Sequence, residues 1–316
     1  MTDSKKYTQP STLIPITAML LFWALTPISI AWIKEDFSLI FQVWVRYVSS
    51  ALLLICFLLT KKSFSEDFKS FLKQRTYFLG RISVTALCTI MFQLMYTWCF
   101  FLVPPGFGTL LYQSQVIFSV FLGMLFFKVE RDLIRRPGTI TGIILAIGGA
   151  CLVIIFQSHG FSVVLNTGIL LALGGALSWA FVGLSVKTWI EGRLPPLFTA
   201  ALVFSLVAVF LTPFVLITGP HISGNPGGLK WLVLIGSGLL GIAGGQALYY
   251  YLLPQLGIIT ASSVQLLVPF LTGIFSFLLF DETVTFLQLI GGLLLLGGCQ
   301  TVLLQKQYLM SGKNTA

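Results

Sequence analysis

Apolar residues in this chain come in long unbroken runs, each separated from the next by a short polar stretch. About 20 consecutive apolar residues are needed for a helix to cross a hydrocarbon core. Ten runs meet that length, over residues 13–33, 39–60, 79–101, 107–127, 137–156, 168–188, 197–217, 231–252, 260–280 and 285–304. They do not alternate apolar with polar, and they are about twice the length of a barrel strand, so they predict helices rather than strands. The connections between them are too short to hold a soluble domain. Composition removes what the pattern leaves open. Hydrophobic residues make up 56% of the 316 positions and charged residues only 9%, at a mean hydropathy of +0.94. A soluble domain carries roughly 25% charged residues to wet its surface. A soluble enzyme, a disordered chain and a collagen-like chain are all excluded. The 28 Phe and 30 Gly suit a bundle of packed membrane helices.

Charge gives orientation. Of the 19 Lys and Arg, 16 fall in the tails and loops of one face, two (Lys34 and Lys230) on the other, and Arg46 lies inside a span. The positive-inside rule then expects both termini in the cytoplasm and the protein in the inner (plasma) membrane as a multi-pass chain. The net charge of +9 reads as topology, with no nucleic-acid partner expected. Lys5 and Lys6 precede the first run, which is longer than a signal-peptide core and has no A-x-A-like site after it, so it reads as an uncleaved span.

The chain also repeats itself. Trp23-Ala24 recurs as Trp179-Ala180, Gln93-x-x-Tyr96 as Gln246-x-x-Tyr249, and Gln113 as Gln265. Gly142 followed by Gly148-Gly149 recurs with the same spacing as Gly291 followed by Gly297-Gly298, and Glu130 recurs as Glu282. The matches keep chain order at a separation of roughly 150 residues, so the unit is five spans. An odd number of spans threads the second copy from the opposite side, the inverted repeat of secondary transporters. The expected organisation is a tail over 1–12, a first repeat over 13–156, a linker over 157–167, a second repeat over 168–304 and a tail over 305–316. The fold class expected is therefore all-α integral membrane, ten transmembrane helices as two inverted five-helix repeats around a central cavity.

Several of these residues resemble the drug/metabolite transporter superfamily in its ten-helix form, built from two EamA-type repeats. They are Arg46 in the second span, Phe127-Lys128-Val129-Glu130-Arg131 closing the fourth, and the Gly142…Gly148-Gly149 spacing. In the second half they are Ala176-Leu177-Ser178-Trp179-Ala180, Pro269 and Leu279-Phe280-Asp281-Glu282. The resemblance covers roughly residues 12–304 and implies a permease for small metabolites, often an exporter of amino acids and similar solutes. Ile117 stands where the second copy has Pro269, so a central helix break is expected to be stronger in the second half.

Polar residues inside spans carry the candidate chemistry. Gln42, Arg46, Ser49 and Ser50 share one helix face at spacings of three and four. Two readings of Arg46 stay open: a wet cavity in which it attracts a carboxylate, or snorkelling to the outer interface within a belt that includes Trp44 and Tyr47. Thr85, Thr89, Gln93 and Tyr96 form a stripe in the third span, answered in the eighth by Gln246, Tyr249 and Tyr250. Glutamine in lipid leaves donors and acceptors unsatisfied, so Gln93 and Gln246 should face the bundle interior near the pseudo-symmetry axis. Trp23, Trp98, Tyr112, Gln113, Trp179 and Gln265 are candidates for the same cavity, and Pro27 and Pro269 for helix breaks that free a carbonyl. Small residues at intervals of four should let helices approach closely: Gly138, Gly142, Ala146 and Ala150 in the fifth span, Ala172, Ala176 and Ala180 in the sixth, and Ser237, Gly241 and Gly245 in the eighth.

The ten acidic residues all fall in loops, tails or span ends. No nucleophile–base pair or paired carboxylates lie within the bundle, and no phosphate-binding G-x-x-x-x-G-K-[ST] loop exists, so neither an enzyme nor a nucleotide-driven pump is expected. Five scattered Cys and two lone His predict no metal and no cofactor. The expected partners are a small-molecule substrate and the bilayer, with a homodimer left open. The function expected is secondary transport of a small metabolite, an amino acid or related polar solute, by alternating access. The alternatives are a flippase or carrier for a lipid-linked or larger amphipathic substrate and, from another class, a membrane-embedded receptor or enzyme.

Overall fold

The computed structural model describes residues 10–126, 136–156, 163–190, 192–249, 251–252 and 264–313. Among them the chain is helical throughout, with one isolated backbone bridge between Phe37 and Ile222. The first five predicted spans correspond to α1 (Pro10–Trp32), α2 (Leu39–Leu59), α4 (Arg75–Leu102), the pair α5 (Pro105–Tyr112) and α6 (Gln115–Phe126), and α7 (Pro137–Ile155). The second five correspond to α8 (Val163–Trp189), α9 (Pro196–Thr218), α10 (Gly228–Gly236, continuing through a π segment, Ser237–Gly244), α11 (Val268–Phe280) and α12 (Phe286–Lys313). Nine helical stretches among the described residues are long and apolar enough to span a membrane. The ninth predicted span, 260–280, is represented by the 13 residues of α11, because the chain turns at Leu266 and Leu267 and residues 260–263 lie outside the described residues.

One helix had no counterpart among the predicted spans. α3 (Phe64–Lys73) lies between α2 and α4, with Glu66 and Asp67 in its first turn and Lys73 in its last, which suits the helix dipole. Ten residues are too few to span. Phe64 and Phe71 set their rings 6.2 and 6.1 Å from that of Phe198, anchoring α3 to the start of α9.

Helix pairing follows the repeat. α7 packs on α12, α2 on α9 and α5 on α11, each joining equivalent spans of the two halves. The remaining main pairs come in exchanged couples: α4 with α8 and the π segment with α1; α6 with α8 and α11 with α1; α2 with the π segment and α9 with α4. Swapping the first five spans for the second five maps this set onto itself.

The α7–α12 pair is held by the repeated glycines. A Cβ on Gly142 would sit 2.9 Å from the Gly298 carbonyl oxygen, and one on Gly291 2.8 Å from that of Gly149. The contact is reciprocal, as a pseudo-two-fold axis between the helices requires. Gly148 and Gly297 have nothing within 4 Å of the same built atom. Small residues thus permit the backbone approach that drives association where no hydrophobic force acts between helices. Ala146, fully buried, completes the ridge.

The outward surface is apolar: Leu52, Ile147, Leu170, Leu216 and Leu278 are all more than half exposed. In water such a surface would drive aggregation, and in a bilayer it is the lipid face. Loops assigned to the lysine-poor face gather at one end of the bundle. Lys34 Nζ donates to the Phe101 carbonyl, Asp36 pairs with Lys230 at 2.5 Å, and Thr285 Oγ1 donates to the Phe156 carbonyl. The opposite end carries Arg81 and Arg193 against the ring of Tyr77.

A central cavity with an unpaired arginine

Both halves contribute to a central cavity of about 160 Å³. α1 supplies Trp23 and Thr26, α2 supplies Arg46 and Tyr47, and α4 supplies Thr85, Thr89, Phe92, Gln93 and Tyr96. Thr109, Tyr112, Gln113 and Gln115 come from the α5–α6 junction. The second half adds Trp179, Thr199, Val203, Phe204, Gly241, Gln246 and Gln265. The repeat-paired residues Trp23 and Trp179, Gln93 and Gln246, and Gln113 and Gln265 therefore meet around one space.

Arg46 is 1% exposed, and its Nε, Nη1 and Nη2 have no hydrogen-bond partner among the described residues. It does not snorkel. Tyr47 beside it is buried too, edge-on to Phe204 with ring centres 5.3 Å apart, and Trp44 donates its indole N–H to Thr212 Oγ1 at 3.0 Å. The aromatic belt read around Arg46 is therefore replaced by interior packing. The backbone at Arg46 is clamped. Ser49 and Ser50 donate to its carbonyl at 3.0 and 2.6 Å, and Ser50 also donates to the Gly238 carbonyl at 2.9 Å. A Cβ on Gly238 would lie 2.8 Å from the Arg46 Cα, so only glycine lets the π segment press so closely on α2. π insertions recur at functional sites, and this one lies against Arg46.

An aromatic wall lines the cavity. Phe92 lies 4.8 Å from Trp179 and 5.6 Å from Tyr112, and Tyr96 lies 5.2 Å from Tyr112, between ring centres. Trp23 sits on Gly245, where a Cβ would meet its Cδ1 at 2.7 Å, and 5.8 Å from Tyr249. Amide oxygens of Gln93 and Gln115 are buried without partners.

The fourth span breaks at the cavity. α5 ends at Tyr112, and tight i→i+3 bonds carry the chain through Gln113 and Ser114 before α6 begins. The ninth span turns likewise at Leu266 and Leu267, one residue after Gln265. The break was expected to be stronger in the second half, yet it occurs in both. Ile117 does not spare the first half, because the turn precedes the proline-equivalent position. Pro269 itself is at the start of α11, where a missing N–H costs nothing, and it lines a separate apolar cavity of about 590 Å³ beside Glu282 rather than the central one. Pro27 lies inside α1 and is buried.

Three candidates fall elsewhere. Gln42 is fully buried but donates its Nε2 to the carbonyls of Ile33 and Phe37 at 3.3 and 3.2 Å, closing the chain after α1. Tyr249 packs behind Trp23 without lining the cavity, and Trp98 is 48% exposed on the outer surface. Tyr250 lies outside the described residues. Tyr47, Gln115 and Thr199 line the cavity without having been singled out for it. For Gln115 a signal existed: a second amide two residues after Gln113 in an apolar run. Among the described residues, no three of His, Cys, Asp and Glu gather as a metal site.

Glu130 lies outside the described residues. Its repeat counterpart Glu282 has a defined role. Its two carboxylate oxygens accept the Gly106 and Phe107 N–H groups, both at 2.9 Å, at the N-terminus of α5. A carboxylate there satisfies orphan donors and complements the helix dipole.

Comparison with known proteins agrees with this geometry. An uncharacterized transporter of Haemophilus influenzae is 26% identical over 193 residues, 60% of this chain and 62% of that protein, so the match spans less than two thirds of the relative's length. One crystal structure superposes with a TM-score of 0.61 at 14% identity, covering 95% of this chain and 99% of the other, which is a likeness of fold. Residues 166–304 match the EamA-like transporter family. The second half of the chain is thus similar to the EamA-like transporter family.

Proposed function

We propose that the protein is a secondary permease for a small polar organic solute that carries a carboxylate, amino acids and related solutes being the class to test first. The observation that supports it most is the central cavity, built equally from two repeats that pack through exchanged helix pairs, with a buried guanidinium lacking any hydrogen-bond partner among the described residues. Alternating access follows from this symmetry. The halves rock about the cavity, and each end opens in turn while the other is held by loop contacts. Arg46 holds the carboxylate, the aromatic wall takes the apolar part, and the glutamine amides accept or donate to the remaining polar groups. Broken helices at Gln113 and Leu266 lie where such carriers place unwound backbone. A carrier for amphipathic substrates is a second reading, favoured by the apolar cavity between α5, α11 and α12.

The test is counterflow of radiolabelled small carboxylates in proteoliposomes. Saturable flux that is lost in Arg46→Gln, while the variant stays folded, is expected. Absence of saturable flux for carboxylates of up to about ten heavy atoms, with folded protein, overturns the proposal.

A further inference from the structure

The charge balance of the cavity reaches further than its shape. Among the described residues, Arg46 is the one charged side chain that lines the cavity, and no carboxylate lines it. The sequence has no acidic residue mid-span to approach it. A buried charge without a counter-charge is unfavourable, and an incoming anion relieves it. We infer that the central site selects small organic monoanions over zwitterions and cations of the same size. This rests on the transport reading and narrows its carboxylate-bearing solutes to those without an ammonium, so hydroxy acids rank ahead of amino acids.

A zwitterionic amino acid brings a carboxylate to the guanidinium but also an ammonium held a few ångströms away. Nothing in the lining neutralises that ammonium. The unpaired oxygens of Gln93 and Gln115 accept hydrogen bonds without supplying a charge, and Arg46 repels it. A hydroxy acid of equal size gives the same amides an O–H donor and leaves the site neutral overall. Size narrows the class again. An apolar cavity of about 150 Å³ holds a benzene molecule, so 160 Å³ suits a ligand of about six to eight heavy atoms.

Four probes of nearly one shape test this on the purified full-length protein: 2-hydroxy-3-methylbutanoate (anion), valine (zwitterion), valinol (cation) and 3-methylbutane-1,2-diol (neutral). Trp23 and Trp179 line the cavity, so binding is read by tryptophan fluorescence and checked by calorimetry. The hydroxy acid is expected to bind at least tenfold more tightly than valine, with valinol and the diol weaker still. Arg46→Lys keeps this order, whereas Arg46→Gln removes the preference for the anion. Valine binding as tightly as the hydroxy acid, or no binding by any of the four, overturns the inference. So does an unchanged hydroxy-acid affinity in Arg46→Gln. The wild-type series decides the matter even if Arg46→Gln does not fold. Flux of the same probes separates the two readings. Binding in the expected order without flux removes the transport proposal and keeps the charge selection. Flux of valine in preference to the hydroxy acid does the reverse.

Discussion

Arg46 and Gln42 stand on one helical face one turn apart, yet only the arginine reaches the cavity. Periodicity assigns a face; it does not say where along that face a cavity ends and a loop begins. Arg46 was legible because an ionisable side chain inside a span must be accounted for. Gln42 looked the same in sequence, but its amide is taken up by the Ile33 and Phe37 carbonyls where α1 gives way to the next loop. The belt reading of Tyr47 fails for a related reason. An aromatic beside a span end suits a membrane belt, and only packing against Phe204 shows it turned inward. The two glutamines should separate in experiment. Gln42→Leu leaves the Phe37 carbonyl short of a donor, which costs about 1–3 kcal/mol, while the Ile33 carbonyl keeps the Asp36 and Phe37 N–H groups. Its unfolding midpoint in detergent should therefore fall while hydroxy-acid affinity stays within twofold. Gln93 has an amide oxygen already without a partner, so Gln93→Leu should weaken hydroxy-acid binding about tenfold and change stability less than Gln42→Leu does.

The spans themselves were legible to within a few residues, because the bilayer demands a long apolar run wherever the chain crosses. What sequence alone could not resolve were the interruptions. The turn at Gln113 and Ser114 has no proline to announce it, the π segment has only a run of small residues, and α3 is too short for a window of span length. The glycine repeat was visible as a spacing, but spacing treats its adjacent glycines alike, and the structure does not. Gly149 faces the α12 backbone at Leu295, and Gly298 faces Gly142 and Ala146, while Gly148 and Gly297 meet nothing. This difference predicts a paired result. Gly149→Val and Gly298→Val force α7 and α12 apart and should each destabilise the protein by several kcal/mol, as overpacking of a close backbone contact does. Gly148→Val and Gly297→Val, on the open side, should stay within about 1 kcal/mol of the parent. Thermal unfolding of the four variants in one detergent checks it. Equal losses at both positions of a pair would show that the helices do not cross at these glycines.

At the scale of the whole molecule, the lysine-poor end is tied by contacts that mostly join one half to the other. Asp36 of the first half pairs with Lys230 of the second, Phe37 bridges Ile222, and Glu282 of the second half caps α5 of the first. On the proposed alternating-access reading, rocking that opens this end breaks each of them, so together they favour closure there. The two-point Glu282 cap is the strongest single tie. An N-terminal helix cap of this kind is worth about 0.5–2 kcal/mol, and the Asp36–Lys230 pair adds less because Lys230 is partly exposed. Removing the cap should therefore move the equilibrium by about twofold to thirtyfold, since about 1.4 kcal/mol is one decade. A cysteine at Gln113, inside the cavity, reports the shift in a background lacking the five native cysteines. With Glu282→Ala, a membrane-impermeant maleimide added on the lysine-poor side should label Gln113→Cys several-fold faster, and labelling from the lysine-rich side should slow. Saturating 2-hydroxy-3-methylbutanoate should protect the cysteine from either side. Labelling that rises equally from both sides would indicate a loosened bundle rather than a two-state carrier, and unchanged labelling would show that Glu282 supports α5 without taking part in closure.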